Sequence, residues 1–146
     1  MSDTGIKKTE NLLHNSIMYD SLWYDSLIKP IFQPQAWVFS SVWVFLYTLL
    51  LVSVILYSLT ITDKNKTGGY VCLIVHMVFN LLWSPVFFLL HRIDIALLIV
   101  FIMLFSVILM IICFFRVSKL SGLILFPYIL WLIFAAYLNY QILILN

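Results

Sequence analysis

From Trp37 onward the chain alternates long uncharged apolar runs with short charged ones. The runs cover residues 37 to 61, 70 to 90, 95 to 115 and 120 to 145, separated by TDKNKTGG (62 to 69), HRID (91 to 94) and RVSK (116 to 119). Each run is at least as long as the roughly 20 residues a helix needs to cross about 30 Å of hydrocarbon. None alternates with period two, which excludes the strands of a membrane barrel and leaves helices, the other structure that satisfies its own backbone in lipid. The pattern predicts an all-α integral membrane bundle of four transmembrane helices over residues 37 to 146, preceded by a polar segment of residues 1 to 36. Four-residue turns at 91 to 94 and 116 to 119 further predict that the last three helices form an antiparallel meander.

Composition fits this picture, since 64% apolar and 10% charged residues leave too little polar surface to coat a soluble globule. The net charge of +2 sits at loop ends and forms no basic patch for nucleic acid. Lys29 and Arg92 flank one face of the bundle and Lys64, Lys66, Arg116 and Lys119 the other, but Lys7 and Lys8 even the count, so membrane orientation stays open. The first segment holds Asp3, Glu10, Asp20 and Asp25 and has no apolar core suited to a signal peptide. Its apolar residues from Leu12 to Ile28 share about half of a helical wheel, which suits an interfacial helix, with a disordered tail as the alternative. Pro30 and Pro34 then predict a loop entering the first span. Cys72 and Cys113 lie in apolar runs, where thiols act as small hydrophobes, and Gly68-Gly69 reads as a turn.

Candidate chemistry is limited by what is missing from the spans. No metal-ligand spacing, phosphate-binding loop or Ser/His/Asp set occurs, so neither a metal site nor hydrolytic chemistry is expected. No Asp, Glu, Lys or Arg interrupts any run, which argues against an ion-coupled exporter. The embedded polar groups instead form stripes. His76, Asn80, Trp83 and Phe87 recur at spacings of four, three and four, as do Tyr128, Trp131, Ala135 and Asn139 in the last run. The first run adds Ser40, Trp43 and Tyr47. Facing inward, these stripes would line an apolar, flat-walled cavity with a few hydrogen-bonding groups, suited to a large planar aromatic ligand. The third run, aliphatic apart from Ser106, is expected to be the most lipid-exposed wall. Asn80 can equally be helix-to-helix glue, Trp37 an interfacial anchor and His76 a packed side chain; with no second embedded histidine, His76 forms no haem-ligating pair.

WYDSLIKPIFQPQAWVFSSVWVFLY (23 to 47), NLLWSPVFF (80 to 88) and FPYILWLIFAAYLNY (126 to 140) together resemble the translocator protein family, the tryptophan-rich sensory proteins or peripheral-type benzodiazepine receptors. The resemblance implies a compact bundle binding porphyrin or haem and similar flat ligands, with no required cofactor. It places Trp43, Asn80, Trp83, Trp131, Ala135, Leu138 and Asn139 at the pocket, and Trp23, Pro30, Pro34 and Trp37 at its lid. Trp43 and Trp131 would also be the catalytic indoles if bound porphyrin is degraded in light. The role implied is a carrier, sensor or regulator of tetrapyrrole, with a light-dependent porphyrin-degrading enzyme as the alternative. A homodimer in a bacterial cell membrane is expected, an outer or organelle membrane being the other placement. The sequence departs from the family in several places. The family's five helices include one before the WY motif, where this chain is polar, so that helix is expected to be missing, either because this is a four-helix member or because the start is misassigned. Phe32, Gln35 and Ile95 replace usual Trp, Pro and Trp residues. No Lys or Arg follows Tyr140, so specific cholesterol recognition is not expected.

Overall fold

The computed structural model describes residues 22 to 146, so the expected amphipathic segment before Leu22 and the question of a preceding helix lie outside the described residues. Residues 22 to 26 are helical and lead through a loop into helix α1 (Ala36–Leu59). Helix α2 (Thr67–Ser84) continues into a π-helical turn (Pro85–Leu89), α3 runs over Ile93–Val117, and the last span consists of a short α4 (Lys119–Ile124) and α5 (Phe126–Leu145). Four spans, Ala36–Leu59, Thr67–Leu89, Ile93–Val117 and Lys119–Leu145, are long and apolar enough to cross a membrane. The chain is an all-α, multi-pass membrane protein.

Helix ends follow from local chemistry. Beyond α1, Lys66 donates from its ammonium to the carbonyl oxygens of Ser58 and Thr60 at 2.9 and 2.7 Å, placing a cation on the negative end of the helix. Pro85 lacks an N–H and opens the wider turn, in which the Leu90 N–H reaches back to the Pro85 carbonyl at 3.0 Å. His91 then takes a left-handed conformation, φ 53°, to reverse the chain into α3. Pro127, in the first turn of α5, falls where a helix has no use for an N–H. The expected turn at 116 to 119 contracts to Ser118, whose extended backbone separates α3 from α4.

Two expectations are overturned. The third span is the central one: α3 packs on α2, α4 and α5 and buries Ala96, Val100, Met103, Val107, Met110 and Phe114. Core and lipid are equally apolar, so an aliphatic helix carries no periodic signal of which face points inward. Gly68 and Gly69 also do not make the turn, because α2 already begins at Thr67. Gly69 instead admits the buried Tyr57–Phe114 stack, whose ring centroids lie 3.9 Å apart; a Cβ at Gly69 would meet the Tyr57 hydroxyl at 2.5 Å and the Phe114 ring at 3.0 Å.

Gly69→Ala should therefore cost about 1 to 3 kcal/mol through overpacking and lower the melting temperature in lipid nanodiscs. Gly68→Ala is the control, since a Cβ there meets only the Cys113 sulfur at an ordinary 3.7 Å. Equal melting temperatures for the two variants would show that the glycine is not required by the stack.

Candidate ligand-binding cavity

A cavity of about 580 Å³ lies where α1, α2, α3 and α5 meet beneath the 27 to 35 loop. From α1 come Phe39, Trp43 and Tyr47, with Trp43 stacked on Tyr47 at 5.5 Å and 30°. Along α2 and its π turn, Asn80, Trp83 and Phe87 line one wall, and the Trp83 and Phe87 rings stack at 5.2 Å and 20°. Trp131, Ala135, Leu138 and Asn139 from α5 line another, with Phe39 edge-on to Trp131 at 5.7 Å. The three indoles proposed from spacing are thus brought to one space, and Ala135 leaves room beside Trp131.

Other candidates are placed elsewhere. His76 and Tyr128 are fully buried beneath the cavity and do not line it. Trp37 is 66% exposed at the start of α1, its indole N–H turned to the Gln35 side chain at 2.7 Å. Of the other three lid residues, Pro34 lines the cavity, Pro30 is buried outside it, and Trp23 stacks on His91 at 4.1 Å behind the Phe87 wall. Sequence reasoning missed the loop groups Tyr24, Asp25, Lys29 and Gln33, which line the mouth. It also missed Phe39, one turn before Trp43 and therefore accessible to the same stripe argument. Val100 and Met103 come from the span expected to face lipid, and no pattern marks them.

The mouth is polar and internally paired. Lys29 bridges Asp25 at 3.2 Å and sits 4.2 Å from the centre of the Tyr24 ring, while the Gln33 amide donates to the Tyr24 hydroxyl at 2.7 Å. Burial, and then the neighbouring Asp25 carboxylate, raise the Tyr24 phenol above its ordinary value, so it stays protonated at neutral pH. Deeper in, the Trp83 indole N–H donates to Asn139 Oδ1 at 3.3 Å, and the Asn139 amide donates to the Ile93 carbonyl at 3.0 Å. The ring is therefore held at a fixed tilt. Among the described residues, the Trp131 indole nitrogen is buried without a hydrogen-bond partner.

Beneath the cavity the polar groups form one directed chain. The Tyr47 hydroxyl donates to Asn80 Oδ1, and the Asn80 amide points to the Tyr128 oxygen at 3.4 Å. Ser106 gives its proton to the Met103 carbonyl at 2.8 Å, so the contacts of His76 Nδ1 with Met103 O and Ser106 Oγ require Nδ1 to carry a hydrogen. His76 Nε2 then accepts from the Tyr128 hydroxyl at 2.8 Å. The chain links α1, α2, α3 and α5.

The TspO/MBR family model matches residues 9 to 145. The chain belongs to the TspO/MBR family. It is 35% identical to Protein CrtK of Rhodobacter capsulatus, over 90% of this chain and 82% of that protein. It is also 37% identical to the Tryptophan-rich protein TspO of Chlorobaculum tepidum, over 86% of this chain and 80% of that one. With the Tryptophan-rich sensory protein of Cereibacter sphaeroides it shares 32% identity, over 85% and 77% of the two chains. Within this TspO/MBR chain the three cavity indoles sit on three different helices, so the tryptophans are gathered by the fold and not by sequence proximity.

His76→Leu should destabilise the bundle by about 1 to 3 kcal/mol, because Tyr128 and Ser106 lose a buried partner, while leaving ligand affinity unchanged. Thermal unfolding and a binding titration on the same preparation check this. Lost affinity at an unaltered melting temperature would instead mean that His76 meets ligand.

Proposed function

We propose that this protein binds porphyrin or a related tetrapyrrole in the cavity, as a carrier, sensor or regulator of tetrapyrrole level in a bacterial cell membrane. The observation that carries this reading is the enclosure of one space by the Trp43, Trp83 and Trp131 indoles, with Ala135 opening room between them. The volume of about 580 Å³ lies inside the 300 to 1,000 Å³ range of small-molecule pockets. Flat rings at several orientations suit a flat, extended π-system, and the paired polar mouth suits the ligand's solvent-facing edge. Family membership supports the same reading, as do relatives whose names mark them as tryptophan-rich sensory proteins.

The alternative, light-dependent porphyrin degradation, draws support from Trp43 and Trp131 both lining the cavity, since an indole is an oxidisable partner for an excited tetrapyrrole. One experiment separates the two. Purified protein is titrated with protoporphyrin in darkness and in light while tryptophan fluorescence and porphyrin absorbance are followed. Saturable quenching without bleaching supports a binder, bleaching supports turnover, and no saturable quenching overturns both. If turnover occurs, the Trp43→Phe/Trp131→Phe variant should retain most of the binding, because a phenyl ring keeps the stacking surface, while its bleaching rate falls at least about tenfold, equivalent to 1.4 kcal/mol of barrier. Bleaching at the wild-type rate would remove both indoles from any catalytic role.

Self-association belongs to the same proposal. Outer faces of α1, α2 and α5 expose Leu51, Ile74 and Leu130, which are free to meet lipid or a second copy. Cross-linking in native membranes should trap a dimer; monomer alone at every cross-linker concentration would refute it.

A further inference from the structure

The end of the bundle remote from the cavity holds groups the cavity does not use. The chain has two cysteines, far apart in sequence, and the fold brings them together. Cys72 on α2 and Cys113 on α3 are both partly exposed, and the Cys113 sulfur lies against α2 one turn before Cys72. The helix pair is closely spaced there. A Cβ at Gly68, one turn before Cys72, would stand 3.7 Å from the Cys113 sulfur. Small residues let helix backbones approach, and a disulfide needs Cα atoms within about 7 Å of each other.

The two sulfurs differ in access. Cys113 lines a crevice of about 390 Å³ together with Lys64, Asn65 and Arg116, at the membrane-surface end of α3. Cys72 does not line it, although both side chains pack against the core formed by Tyr57, Met110 and Phe114. Water-soluble reagents entering the charged crevice therefore meet the Cys113 thiol first. A partly exposed thiol beside a second one is the arrangement of a reversible oxidation site.

We propose that Cys72 and Cys113 form an oxidisable dithiol, Cys113 reacting with hydrogen peroxide and Cys72 resolving the product into a disulfide between α2 and α3. The Cys113 sulfur attacks one peroxide oxygen and the O–O bond breaks. The thiol proton leaves with the departing hydroxide as water, and Cys113 becomes a sulfenic acid. The Cys72 sulfur then attacks the Cys113 sulfur; the S–S bond forms, the S–O bond breaks, and the second hydroxide leaves as water with the Cys72 proton. Two thiols give up two electrons and one peroxide takes them. The new bond joins the open ends of the α2–α3 hairpin, whose other end is already closed at His91.

The test uses the full chain in lipid nanodiscs, treated with hydrogen peroxide, alkylated with a maleimide and weighed intact. Wild type should lose both maleimide-reactive thiols and two hydrogens, without gaining oxygen, and dithiothreitol should restore both. Cys72→Ser should stop at a sulfenic acid on Cys113, trapped by dimedone, whereas Cys113→Ser should keep its remaining thiol free. Wild type that retains two free thiols, forms disulfides only between copies, or accumulates oxygen on Cys113 while Cys72 stays reduced would overturn the proposal. Equal peroxide reactivity of the two serine variants would overturn the division of roles.

Discussion

A buried imidazole in the middle of an apolar bundle holds the four spans in register. In hydrocarbon an unpaired polar group costs several kcal/mol, so each member of the chain from Tyr47 through Asn80, Tyr128 and His76 to Ser106 is held by its neighbours. Apolar packing cannot supply this precision, because helices leaving lipid for one another exchange one apolar surroundings for another. Every hydrogen in the chain points the same way, and each helix contributes at a defined height. A helix sliding by one turn would strand at least one of these groups. The rings above, Trp43 next to Tyr47 and Trp83 next to Asn80, inherit their positions from that register.

The sequence made four spans and their class plain, because lipid imposes length and composition together. Three of the cavity walls were also legible, since Asn80, Trp83 and Phe87 or Trp131, Ala135 and Asn139 repeat at helical spacing. Illegible was the depth of each polar group along its stripe. His76 shares a face with Asn80 but lies a turn deeper, in the core, and Tyr128 bears the same relation to Trp131. The fourth wall was hidden for a different reason. Val100 and Met103 belong to a helix whose one embedded serine, Ser106, is too little to mark a stripe, and the packing of the other helices on it reveals its inward face. Gly69 shows the reverse case, a residue whose usual meaning as a turn is displaced by the ring it must accommodate.

Pro85 links local backbone chemistry to the cavity. A regular α-helix continued past Trp83 would carry Phe87 and Phe88 around at 100° per residue, and the wider π turn alters that phase. Both rings then line the cavity, Phe87 flat against Trp83 and Phe88 edge-on to it at 6.0 Å. The same irregularity ends the helix early enough for His91 to turn and stack under Trp23.

The amides of Asn80 and Asn139 are both occupied on their oxygen and nitrogen sides by protein partners. A visiting molecule finds few vacant hydrogen-bond positions on these walls, and competing for an occupied one means breaking a bond that keeps the helices aligned. Recognition of this kind discriminates by thickness and outline more than by the pattern of heteroatoms. Chemically unrelated flat molecules of similar size would be hard for such a cavity to tell apart, because the groups that could discriminate between them are the ones with which the bundle secures itself.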